Sequence, residues 1–121
     1  MANPNKLWGQ TTITVDGDQL LTEGKSSIEV GGAVRTSVEA DNQAGFFTTA
    51  TKPSKVECTV LVGAGTSLVA LQAIENATIV FECDTGQTYI ISNAWVGEAV
   101  SASEGKAKLT LMGPPAEEEL S

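Results

Sequence analysis

One segment of this chain is hard for a small fold to absorb: GGAVRTSVEADNQAGFFTTATKP, residues 31 to 53. Its first arm alternates like a strand. Ala33, Arg35, Ser37 and Glu39 fall on one face, and Val34, Thr36, Val38 and Ala40 on the other. A polar turn at Asp41-Asn42-Gln43 follows, then a second arm through Phe46-Phe47-Thr48-Thr49 to Lys52 and Pro53. Neither arm is apolar enough to be buried on both faces, yet both are rich in β-formers. Left bare on a small protein, such a ribbon is an open edge that invites pairing with another chain. Whatever this chain folds into must explain what covers it.

The 121 residues suit one domain, 1–121, with an N-terminal arm over 1–9 and a mobile acidic tail over 113–121. Only six aromatics are present (three Phe, two Trp, one Tyr), so the core has to be built from Val, Ile, Leu and Ala. No apolar run approaches the ~20 residues that span a bilayer. The opening Met1-Ala2-Asn3-Pro4-Asn5-Lys6 lacks the layout of a secretion signal, which points to a soluble, intracellularly made protein. Seven Lys plus Arg stand against fifteen Asp plus Glu, a net charge of −8. That balance argues against a surface that grips nucleic-acid phosphates. The run Glu117-Glu118-Glu119 follows a Pro-Pro pair and reads as a solvated tail.

The rest reads as short antiparallel strands. Thr12 to Val15 ends at Asp16-Gly17, a strong hairpin turn. Gln19 to Leu21 and Ser26 to Val30 follow, before Gly31-Gly32 leads into the ribbon. Lys55 to Val62 places Val56, Cys58, Val60 and Val62 inward. Ile79 to Cys83 and Thr88 to Ser92 form a hairpin about Asp84-Thr85-Gly86, and Lys106 to Met112 closes the domain. Leu68, Leu71 and Ile74 recur at helical spacing after a Thr66 or Ser67 cap, with Asn76 as a stop. Cys58 and Cys83 both fall at inward positions and read as small buried hydrophobes; a disulfide is open to them if their strands face each other. The fold class is mainly β, an antiparallel sandwich or barrel with one short flanking α-helix.

Little here points to catalysis. The chain has no histidine, which removes the commonest general base and neutral metal ligand together. The segment TVLVGAGTSLVALQAIENATIVFECD imitates a dinucleotide fingerprint, with Gly63 and Gly65 before a helix and an acidic residue after the next strand. Leu68 replaces the third glycine, the helix is too short for a crossover, and one βαβ unit makes no doubly wound sheet. No catalytic residue, cofactor or metal site is expected.

Taken in order, the spacings resemble a known family. The Val-Asp-Gly turn at 15 to 17, the Gly-Gly-x-x-Arg at 31 to 35, Pro53 and the Ser-Leu-x-x-Leu helix at 67 to 71 come first. Asn93-Ala94-Trp95 and Glu104-Gly105 complete a pattern similar to the tail tube proteins of Mu-like contractile-tailed bacteriophages, over roughly residues 9 to 113. The resemblance implies homohexameric rings stacked into a hollow tube, with strands of neighbouring subunits joined in one inner β-barrel. It implies a virion component made in the host cytoplasm, with tail sheath, baseplate or tube initiator, tape measure and tail terminator as partners. DNA would pass through without specific binding and the subunit would not insert in a membrane. With alternation, the resemblance gives candidate lumen-facing residues Arg35, Ser37, Glu39, Glu57 and Thr59. Candidates for ring-to-ring contact are Asp41, Asn42, Gln43, Phe46, Phe47, Thr48, Thr49, Lys52 and Pro53. Six copies at −8 each carry 48 net negative charges, which implies a polar, net-negative wall that repels DNA weakly.

Two other readings compete. The same block could serve a headless phage-derived contractile particle or a secretion tube. A monomeric β-sandwich module for carbohydrate is the reading from a different class, and it would need an aromatic platform; Trp8, Tyr89 and Trp95 are scattered along the chain.

Overall fold

A computed structural model describes residues 5–23 and 26–120. Along the chain, β1 (Thr11–Val15) turns into β2 (Asp18–Gln19), and β3 (Ser27–Glu29) precedes the ribbon strands β4 (Gly32–Val38) and β5 (Phe46–Lys52). After Pro53 come β6 (Ser54–Leu61), the helix α1 (Leu68–Gln72), β7 (Ala77–Cys83) and β8 (Thr88–Val96). The chain ends in β9 (Ser101–Ser103), β10 (Lys106–Gly113) and β11 (Glu117–Glu119). All paired strands are antiparallel.

The turns follow their chemistry. Val15 pairs with Asp18, and the two residues between them, Asp16 and Gly17, have φ of 50° and 87°. Two successive positive φ values are what a two-residue hairpin matching strand twist requires. Glu104 and Gly105, at 54° and 79°, repeat the device between β9 and β10. The three-residue turn Asp84-Thr85-Gly86 closes with Gly86 at φ 103°.

Two sheets enclose one core. β2-β1-β7-β8 forms one, with β11 along β8; β9, β10, β6 and β3 form the other. They join where β8 crosses to β10 at Leu111↔Val96 and Met112↔Trp95. Ile13, Ile79, Phe81 and Ile91 from the first sheet meet Val56, Leu109 and Leu111 from the second, all at 0% exposure. Burying each such side chain contributes about 1.5–3 kcal/mol. Cys58 and Cys83 lie in this core as free thiols. Leu71 and Ile74 bring α1 against it, and Ser67 caps the helix by accepting from the Ala70 N–H.

Three features depart from the sequence reading. β8 runs to Val96 instead of stopping at Ser92. Ile79 pairs Ile91 while Ala77 pairs Ala94, so β8 carries one extra residue, and Asn93 absorbs it at φ 56°. This bulge bends β8 across from one sheet to the other. β9 is too short and polar to announce itself by alternation. The expected mobile tail is instead laid down as β11, with Glu117, Glu118 and Glu119 paired to Ile90, Tyr89 and Thr88. Two bonds help fix it: the Ala116 N–H donates to the Val30 carbonyl at 2.8 Å, and the Tyr89 phenol donates to the Glu118 carboxylate. Of the N-terminal arm, 1–4 lies outside the described residues; the Gly9 and Gln10 N–H groups bond the Asp84 carboxylate, and Trp8 meets the Phe81 ring edge-on.

Candidate assembly surfaces and lumen face

The ribbon stands free of the body of the subunit. β4 and β5 hold each other through seven pairs, from Gly32↔Lys52 to Val38↔Phe46, and pair with no other strand among the described residues. Every residue of β5, and all of β4 after Gly32, is exposed. Residues directly opposite in an antiparallel pair share a face. Val34 with Ala50, Thr36 with Thr48 and Val38 with Phe46 therefore make one face, and Ala33 with Thr51, Arg35 with Thr49 and Ser37 with Phe47 the other. The first is an apolar surface open to solvent. Val34, Val38 and Phe46 stay 44%, 45% and 49% exposed. On the second, the Arg35 guanidinium lies 5.7 Å from the centre of the Phe47 ring.

This geometry divides the candidate contact residues. Phe46 and Thr48 belong to the apolar face, while Phe47 and Thr49 share the face of Arg35 and Ser37, because successive side chains point oppositely. Asp41, Asn42 and Gln43 form the loop at the tip, closed by the Ala40 N–H bonding the Gln43 carbonyl at 3.2 Å. Lys52 and Pro53 lie at the base, about 20 Å from Phe46 along an extended strand. Glu39 lies beyond the end of β4, so no ladder fixes its face.

The base of the ribbon is held tightly. Three steps separate Glu29 from Gly32 and three separate Lys52 from Lys55, so the β3–β6 and β4–β5 ladders share one register. Between them the chain bends at Gly31 and Gly32, with φ of 77° and 95°. A Cβ on Gly31 would sit 2.7 Å from the Ser54 nitrogen and 2.8 Å from the Pro53 carbonyl carbon. Opposite, the fully buried Ser54 hydroxyl lies 3.1 Å from the Gly113 carbonyl and 2.7 Å from that of Pro114. The segment leading to β11 thus straps down the root of the ribbon.

Glu57 and Thr59 occupy the outward face of β6, whose residues alternate between buried and half-buried. Ser27 and Thr110 flank Glu57 in the ladders, and Lys108 lies opposite Thr59. Lys55, two residues from Glu57 on that face, bonds its carboxylate at 2.9 Å. The Lys55 hydrogen bond and charge, reinforced by Lys108, hold the Glu57 carboxyl below its usual range. The same bond raises Lys55, which also feels Glu98 and Glu29. Lys106 bonds Glu23 at 2.8 Å. Three of the chain's seven basic residues thus gather on one sheet face, which is mixed in charge rather than uniformly acidic. Much of the acidic excess lies elsewhere, on β11 and on turns such as Asp16 and Glu104. The alternating lysines in Lys106-Ala107-Lys108 are the sequence sign of this face, which the net charge averages away.

Among the described residues, the outer edges of β3 and β9 pair with no other strand, leaving both ends of one sheet open. No group of three His, Cys, Asp or Glu is placed to hold a metal ion among the described residues, and no described helix is long and apolar enough to cross a membrane.

Comparison with known proteins agrees with this architecture. The family model for the phage tail tube protein matches residues 4–118. The Mu-like prophage FluMu tail tube protein of Haemophilus influenzae is 36% identical over 104 residues, covering 85% of this chain and 87% of the relative. The tail tube protein of Escherichia phage Mu is 31% identical over 110 residues, covering 89% and 91%. Among solved structures, a chain of the PVC sheath-tube complex, an extracellular contractile injection system in its extended state, superposes with a TM-score of 0.62 at 14% identity, covering 93% of this chain and 90% of its own. A chain of the PVC sheath/tube terminator gives 0.65 at 14% identity, covering 97% of each. These last two likenesses speak to fold alone. The chain belongs to the phage tail tube protein family, a structural family of the virion and not a family of enzymes.

Proposed function

We propose that this subunit assembles as six-membered rings, stacked into the hollow tail tube through which phage DNA passes. The observation that carries the reading is the bare ribbon, with Val34, Val38 and Phe46 on one unpartnered face. A second copy seated there answers the question the sequence poses, since no described strand of the subunit covers it. Side by side, the open edge of β3 in one copy meets that of β9 in the next. Each subunit then lends four strands, β9, β10, β6 and β3, to a common barrel without edges. Six such sets at ordinary strand spacing and tilt close at a diameter of roughly 40–50 Å, which leaves an open bore.

In this arrangement the outward face of β6 and β10 lines the bore, with Glu57 and Thr59 on it. On this reading Arg35 and Ser37 of the ribbon face the bore as well, and Glu39 lies nearby at the ribbon's end. The tip at Asp41 to Gln43 and the Phe46 face contact the adjacent ring. Tail sheath, baseplate or tube initiator, tape measure and tail terminator are the partners such a tube requires. The solved structures of similar fold include a sheath-tube complex and a tube terminator, which is in keeping with two of these partners.

Sedimentation velocity over a wide concentration range tests the reading. Rings or longer polymers should appear without any other protein, and amides of the ribbon, β3 and β9 should gain hydrogen-exchange protection on assembly. A persistent monomer at the highest concentration overturns it.

A further inference from the structure

We infer that Glu57 and Glu23 act as counter-ions built into the tube wall, masking the lysines of the lumen face from the DNA that passes them. The inference rests on the tube reading, which turns the outward face of β6 and β10 toward the bore. A chain of net charge −8 concentrates Lys55, Lys106 and Lys108 on the one face that DNA would meet. Bare lysines in a closed bore are a hazard for a conduit. Each phosphate neutralised by a lysine releases counterions, and many such contacts in successive rings would hold the polymer in place.

The structure sets two carboxylates against those three charges. Lys55 Nζ lies 2.9 Å from Glu57 Oε1, and Lys106 Nζ lies 2.8 Å from Glu23 Oε1. Lys108 has Thr59 opposite it and Glu57 two pairs along on the same face, and its charge reaches the Glu57 carboxylate. The acids come from different elements, Glu57 from β6 and Glu23 from the segment before β3, yet both converge on lysines of this face. The pairs are partly exposed, with side-chain exposures of 29% and 41% for Lys55 and Glu57, and 51% and 32% for Lys106 and Glu23. Exposed ion pairs add little to folding stability. Their effect on the local potential is larger, because screening over roughly 8 Å at physiological salt leaves a contact pair intact while hiding distant charges. The −8 of the whole subunit therefore matters less to passing DNA than the pairing within a few ångströms of the wall.

The test uses the full chain carrying Glu57→Gln, Glu23→Gln or both, changes that keep shape and remove charge. Co-sedimentation of assembled tubes with a short fluorescent DNA duplex is measured across a salt series, beside binding to the free subunit. Unmodified tubes should bind no measurable DNA. The double variant should still form tubes and should bind at least about tenfold more tightly at low salt, its log–log salt slope steeper by about one for each lysine brought onto a phosphate. Lys55→Gln combined with Glu57→Gln should bind more weakly than Glu57→Gln alone. Variant tubes that bind no better than unmodified ones would overturn the masking while leaving the tube reading in place. Equal binding by Glu57→Gln with and without Lys55→Gln would also overturn it. Unmodified protein that forms no tubes would overturn the tube reading, and the masking with it.

Discussion

Gly31 offers a sharp test of how the ribbon is rooted, because Gly32 beside it is a built-in control. Both residues have positive φ, 77° and 95°. An alanine at either position is forced into a left-handed conformation, at about 1–2 kcal/mol. At Gly32 the new methyl group meets nothing within 4 Å, so the backbone term is the whole effect. At Gly31 it lies 2.7, 2.8 and 2.9 Å from Ser54 N, Pro53 C and Lys52 O. All three are backbone atoms, none of which can swing aside, and one belongs to a residue locked to the carbonyls of Gly113 and Pro114. Forcing an extra methyl group into such a contact costs about 1–3 kcal/mol more. Gly31→Ala should therefore lose about 2–5 kcal/mol, against about 1–2 for Gly32→Ala. With a urea m-value near 1.5 kcal/mol/M, the midpoints should fall by roughly 1.5–3 M and about 1 M respectively. Urea unfolding followed by circular dichroism measures this, at concentrations low enough to keep the subunit unassembled, since association adds to apparent stability. Equal midpoints for the two variants would refute the tight crossing at the ribbon root.

Other perturbations separate folding from assembly. Phe46→Ser should leave the circular dichroism of the subunit unchanged and raise the concentration needed for polymerisation by about tenfold, as partial burial of one ring is worth about 1–1.5 kcal/mol; an equal effect from Phe47→Ser would contradict the assignment of faces. Removing residues 116–121 should leave a folded subunit but lower its stability by about 1–3 kcal/mol, through the loss of β11 and the Val30–Ala116 bond; an unchanged urea midpoint would mean the strap holds nothing. Burial pushes the Cys58 thiol up to about 11, so a thiol reagent at neutral pH should label it only after denaturation; rapid labelling in the native state would put it outside the core. The lowered Glu57 pKa means that its pairing with Lys55 persists as pH falls through the ordinary carboxylate range near 4.3 and is lost only below it; an NMR titration with a midpoint at or above that value would contradict the pair.

The framework was readable in the sequence where chemistry is local. The hairpin at Asp16-Gly17, the Ser67 cap and the inward Val56-Cys58-Val60 all follow from residue types at fixed spacing, and each stands in the structure. The bare ribbon was readable too, since its alternation carries no face greasy enough for a core. What escaped depends on partners distant in sequence. β9 exists because Lys106 to Lys108 offers it an edge, and β11 because β8 does. Nothing in the residues Ser101-Ala102-Ser103 or Glu117-Glu118-Glu119 favours a strand by itself. The split of Phe46 from Phe47 was implicit in alternation, but grouping them by hydrophobicity concealed it. The lysines of the β6–β10 face were hidden in the same way by a net charge that averages over the whole surface.

Electron cryomicroscopy of the concentrated purified protein addresses the central claim directly. The account predicts tubes of sixfold rings, with β3 of each subunit bonded to β9 of its neighbour, Lys55 and Glu57 on the bore, and Val34, Val38 and Phe46 covered by another copy. Tubes whose bore is lined by another face, or a protein that stays monomeric with its ribbon bare, would contradict it.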